Sequence, residues 1–188
     1  MQTKTKNPWL YTLLWFFFVY LFLQILNFNQ GRMDNIFLGG LYFIQFGVHE
    51  ASHLIFGFMP AVFVAASGSL SEIVFTSLVV IAAFKAKAYF AGIFGLLWVM
   101  MAMNSAGIYM ADARAQAMPL IGPGDTVQHD WHFVFSQLGW LNADTAIGGS
   151  LRIFGDVIGA VALVYGLFLL VWLFAERSEP KAEKTIGS

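Results

Sequence analysis

From Trp9 to Asn27 the chain carries no charged side chain. A water-soluble domain of this size has few places to hide such a run. About 20 apolar residues are what a helix needs to cross a hydrocarbon core about 30 Å thick. Further apolar runs follow, and only 11% of the 188 residues are charged while 59% are hydrophobic. Soluble chains carry about a quarter charged residues, so lipid is the expected solvent. In lipid each backbone polar group must be bonded within its own segment, which leaves helices or closed barrels. Runs of this length, apolar all round, predict an all-α integral-membrane helical bundle. The net charge of -1 offers no basic footprint, so nucleic acid is not an expected partner. The absence of cysteine excludes disulfides, thiolate zinc sites and cysteine nucleophiles.

The apolar runs and their breaks predict a single membrane domain of about five helices, near residues 9–27, 36–59, 70–84, 88–110 and 153–174. One long loop is expected over 111–150, and a polar tail over 176–188. Lys4 and Lys6 before the first run give it the look of a signal peptide. The run is longer than a signal peptide's apolar region and no small-x-small site follows, so it reads as a retained helix. Asn29–Asn35 reads as a polar turn. Pro60 ends the second helix. Ser69 and Glu72 have the spacing of a capping box, which would start the third at residue 69 or 70. Gly155 and Gly159 give the last helix a close-packing face. Trp9, Trp131 and Trp140 suit interface anchors. With five spans, Arg32, Lys85, Lys87, Arg177, Lys181 and Lys184 gather on one side. That predicts a cytoplasmic C-terminus and an extracytoplasmic long loop.

The second helix contains His49-Glu50-Ala51-Ser52-His53, an H-E-x-x-H sequence. At 3.6 residues per turn His49 and His53 lie on one face, with Glu50 about 100° around. Two imidazoles so placed converge on one metal, usually zinc, and the glutamate activates metal-bound water. Ionisable side chains at membrane depth are costly unless they act together.

A catalytic zinc normally takes three protein ligands. His129 of the long loop is the leading third ligand and Asp112, at the end of the fourth helix, the second. His132 and Asp130 follow. Asp130 could equally orient a ligating imidazole. Asn104 matches the depth of the histidines, but suits orienting a ligand or substrate better than binding zinc. In Asn104 a helix–helix hydrogen bond is the competing reading.

A transmembrane H-E-x-x-H followed by further spans resembles the intramembrane zinc metalloproteases of the site-2 protease type. Three further strings are similar to an uncharacterised bacterial membrane group: Gly68-Ser69-Leu70, Tyr109-Met110-Ala111-Asp112-Ala113-Arg114, and His129-Asp130-Trp131. The resemblance implies zinc on His49 and His53 with Glu50 as base. It implies a membrane-protein or peptide substrate cleaved in or near the lipid, and a place in a bacterial inner membrane. The aspartate of the site-2 proteases' later L-D-G string has no counterpart here, so no third ligand carries over. The alternative expectation is a non-catalytic subunit of a larger membrane complex, its histidines holding a structural metal or haem.

Overall fold

Asn7 opens the first helix. Its side-chain oxygen accepts from the Trp9 amide at 3.2 Å, and Pro8 stands at the first helical position, where no N–H is needed. The computed structural model describes residues 7–27, 35–120 and 128–178. Lys4, Lys6, all of the expected turn at 29–35 except Asn35, the Gly122-Pro123-Gly124 stretch and the tail beyond Ser178 lie outside the described residues. The helices are α1 (Pro8–Leu26), α2 (Ile36–Ile55), α3 (Ala61–Lys85), α4 (Tyr89–Ala111), α5 (Asp130–Leu138) and α6 (Asp144–Ser178). A 3-10 turn, Leu141–Ala143, precedes α6. No strand occurs among the described residues, and the protein is all-α.

Four helices are long and apolar enough to cross a membrane: α1, α3, α4, and α6 with its preceding turn. The expected set of five differs at α2. Its 20 residues would rise about 30 Å. Gln45, His49, Glu50, Ser52 and His53 make its second half too polar to join the other four.

Two expected boundaries move. The third helix does not begin at residue 69 or 70. It starts directly after Pro60 and runs unbroken through Ser67-Gly68-Ser69. Proline tolerates that position because its missing N–H is an unpaired donor there anyway. Ser69 and Glu72 therefore lie inside a helix, and their side chains serve other partners. The long loop is also shorter than 111–150. It contains α5, which stops at Gly139 in a left-handed conformation (φ 70°), and α6 begins at Asp144.

α4 is buried on nearly all sides, while α1, α3 and α6 keep exposed apolar faces. Its closest neighbour is α6. The small face expected at Gly155 and Gly159 extends through Gly148, Ala162 and Gly166. A Cβ on Gly155 would lie 3.0 Å from the Met103 Cβ, and one on Gly148 would overlap the Gly107 carbonyl oxygen. Removing side chains here lets the backbones close up, which is the main source of helix attraction in lipid. α1 adds Phe18, Leu21 and Ile25 to the core around Leu97, Met100 and Met101. Trp15 Nε1 donates to the Leu163 carbonyl at 3.0 Å.

α2 and α3 form an antiparallel hairpin around the Pro60 turn. Ser52 and Ser67 hydroxyls meet at 3.2 Å, and His49 lies against Glu72. α5 folds back onto α3, burying Trp131, Val134 and Phe135 against Met110 and Ala113. Arg114 clamps the start of α6: its Nε and Nη2 donate to buried Asp144 at 2.9 and 2.8 Å. The ends of α2 and α4 and the starts of α3 and α5 thus meet at one end of the bundle.

Candidate metal centre

His49 and His53 are one turn apart on α2, and their rings sit 4.9 Å apart. Each ring is fixed through Nδ1. His49 Nδ1–H donates to Glu72 Oε1 at 2.8 Å. His53 Nδ1–H donates to the Val64 carbonyl at 2.9 Å. Both outer partners come from α3. With Nδ1 protonated, a neutral imidazole presents its lone pair at Nε2.

Both Nε2 atoms face the same carboxylate oxygen. Asp130 Oδ2 is 3.2 Å from His49 Nε2 and 3.5 Å from His53 Nε2. Ligand atoms of these three residues lie within 4.8 Å of one another, the one such group of three found among the described residues. Two lone pairs and a carboxylate oxygen at these distances repel unless a proton or cation sits among them. A carboxylate or carbonyl behind each histidine is the usual way a metal-ligating imidazole is oriented. The donor set of two imidazoles and one carboxylate therefore fits a divalent metal.

The gathered third residue is Asp130, and not His129. The start of α5 decides this. His129 is the N-cap, and its Nδ1 accepts from the His132 amide at 3.2 Å. Its Nε2 lies 3.4 Å from Asp112 Oδ2. Burial pushes its imidazole below the ordinary value, against the pull of the Asp112 carboxylate. Asp130, one residue on, points at the pair. Burial would raise its carboxyl, but hydrogen bonds and charge from His49 and His53 in their protonated form, with a proton on each Nε2, outweigh this and hold it below the usual range.

Asp112 is not gathered with the pair either. It ends α4 and accepts from the amides of Ala117 and Met118, both at 3.0 Å. His132 Nδ1 lies 2.8 Å from the Ala113 carbonyl. Asn104 bridges α4 to α6, donating to Asp156 Oδ1 at 2.9 Å and accepting from Arg152 Nε at 3.3 Å. It makes the helix–helix bond and lies outside the centre. Glu50 is exposed beside the buried His49.

The other strings noted in the sequence hold this centre together. Gly68 gives the His49 ring its room, since a Cβ there would overlap the imidazole. Ser69 Oγ accepts from Trp131 Nε1 at 3.0 Å, which ties α5 to α3. Trp131 is therefore buried and not an interface anchor. Tyr109 Oη accepts from the Asp130 amide at 3.0 Å and is 3.4 Å from Asp130 Oδ2. Its ring packs on His129 with centroids 4.2 Å apart. Glu72 is the residue that sequence reasoning missed. The available signal was a lone carboxylate within an apolar helix, which is a functional candidate by default.

Comparison with family models, with curated proteins and with solved structures found no match to this chain.

Proposed function

We propose that this is an integral-membrane zinc protein that hydrolyses a peptide bond in or near the bilayer. The observation that carries the reading is the convergence of His49 Nε2, His53 Nε2 and Asp130 Oδ2, with Glu72 and Val64 fixing the two rings from behind. Zinc held by those three atoms would polarise a water and lower its pKa toward neutrality. Glu50 follows His49 on the exposed side of α2 and would take the proton from that water. Tyr109 would hold Asp130 in place through its amide and carboxylate. The exposed side of α2 is where a membrane-embedded peptide would approach.

Two imidazoles and a carboxylate also suit ferrous iron, so the metal must be identified directly. Haem suits the arrangement poorly, because both histidines aim at one point from the same helix face. The reading of a non-catalytic subunit with a structural metal is favoured by the exposure of Glu50, which has no hydrogen-bond partner among the described residues to hold it over the centre.

Metal analysis of the purified protein distinguishes these. Zinc near one equivalent per chain is expected, lost in the His49→Ala/His53→Ala double variant and in Asp130→Ala, but kept in His129→Ala. Glu50→Gln should keep zinc and lose hydrolysis of a membrane-inserted peptide. Stoichiometric zinc in the double variant sinks the metal assignment. Unchanged biological function in Glu50→Gln supports the structural role.

A further inference from the structure

Further along α2, α3 and α4, three buried polar side chains have atoms with no hydrogen-bond partner among the described residues. Gln45 is 0% exposed, and both its amide atoms are unpaired. Glu72 spends Oε1 on His49, while its buried Oε2 is unpaired. Trp98 Nε1 is the third. Buried polar groups are almost always bonded to protein or to ordered water, so three together call for a common partner.

Helix register places them together. In the antiparallel hairpin, His53 lies opposite Val64, Ser52 opposite Ser67, and His49 opposite Glu72. Gln45 is one turn before His49, so it falls level with Thr76, which is one turn after Glu72. On the other side of α3, Val80 packs on Gly95 and the Phe75 ring meets Trp98 at 5.6 Å. Trp98 is therefore at the same height. Thr76 has no proton to offer there, since its hydroxyl donates to the Glu72 and Ile73 carbonyls.

We propose that Gln45, Glu72 and Trp98 form a binding site for internal water between α2, α3 and α4. The Trp98 indole N–H and the Gln45 amide N–H donate, and Glu72 Oε2 and Gln45 Oε1 accept. A water among them can use both protons and both lone pairs, which meets the two to four partners such a molecule needs. Gln45 is then a positioning residue for the Glu72 carboxylate, and through it for the His49 ring. This site does not depend on the identity or presence of the metal.

Radiolytic footprinting tests it, because hydroxyl radicals reach a buried side chain where bound water lies beside it. In the full chain in detergent, Trp98 should be oxidised several-fold faster than Trp131. Trp131 is the matched control, 6% exposed against 8% for Trp98, with its indole N–H already bonded to Ser69. Gln45→Leu should lower Trp98 oxidation several-fold, and Gln45→Met provides a second apolar replacement if that variant does not fold. Trp98 oxidation no faster than that of Trp131 overturns the proposal on the wild-type protein alone. Oxidation undiminished in the variants does the same. Oxidation that changes between sodium and choline buffers assigns the site to a cation instead. Loss of the zinc assignment leaves all of these expectations in place.

Discussion

Glycine inside a helix is usually a weakness, and replacing it with alanine gains about 1 kcal/mol. At Gly68 the structure predicts the opposite. An alanine Cβ would stand 2.5 Å from Cε1 and 2.6 Å from Cδ2 of the His49 ring, well inside ordinary van der Waals contact. The ring cannot swing aside freely, because Glu72 holds it at 2.8 Å and Asp130 faces it at 3.2 Å. Overpacking of this kind costs about 1–3 kcal/mol, so the steric loss cancels or exceeds the helix gain. A ring displaced by an ångström loses both its outer carboxylate and its aim. Loss of such an outer partner lowers metal affinity by about 10–100-fold. Gly47→Ala is the matched control, on the exposed side of α2, where an added Cβ would meet nothing within 4 Å. Zinc titration against a competing chelator, beside thermal unfolding in detergent, separates the two. Gly47→Ala should be neutral or stabilising and bind zinc as wild type does. Gly68→Ala with wild-type affinity and raised stability would refute the steric account of the His49 seat.

Glu72→Gln should keep the fold and weaken zinc by about 10–100-fold, since the amide is a poorer acceptor for His49 Nδ1–H; unchanged chelator competition would remove Glu72 from the centre. His129 is held neutral by burial, so below its ordinary 6.5 the unfolded chain binds a proton that the folded chain refuses. Stability should fall as pH drops through that value toward the lower folded pKa. His129→Asn keeps an N-cap acceptor without titrating there and should flatten the decline in unfolding temperature between about pH 7 and 5. Gly148→Leu should destabilise by about 1–3 kcal/mol or more by forcing α6 from the Gly107 carbonyl; wild-type thermal stability in that variant would contradict the close α4–α6 contact.

The apolar runs made the helical class and most helix positions readable, and 3.6-residue periodicity put His49 and His53 on one face. What stayed unreadable was set by contacts across helices. Ser69 and Glu72 fit a capping box by spacing alone. Only the packing of α3 against α2 and α5 shows Glu72 against His49 and Ser69 against Trp131. His129 and Asp130 are neighbours, and which one meets the pair depends on where α5 begins. A helix starting one residue earlier would put His129 at the first helical position, where Asp130 now stands. The polarity of α2 was visible in its composition, but its reason lies in α3 and α5.

The hairpin register also bears on how such a helix enters a bilayer during synthesis. Glu72 follows His49 by 23 residues, while Asp130 follows it by 81. At about 5–20 residues per second, the second interval lasts on the order of 4–16 s. For that time α2 carries its histidines without Asp130. Pairing with α3 already gives His49 the Glu72 carboxylate and His53 the Val64 carbonyl, and lets Ser52 meet Ser67. The two helices can therefore partition into lipid as one unit, with much of the polar surface of α2 turned inward before α5 exists.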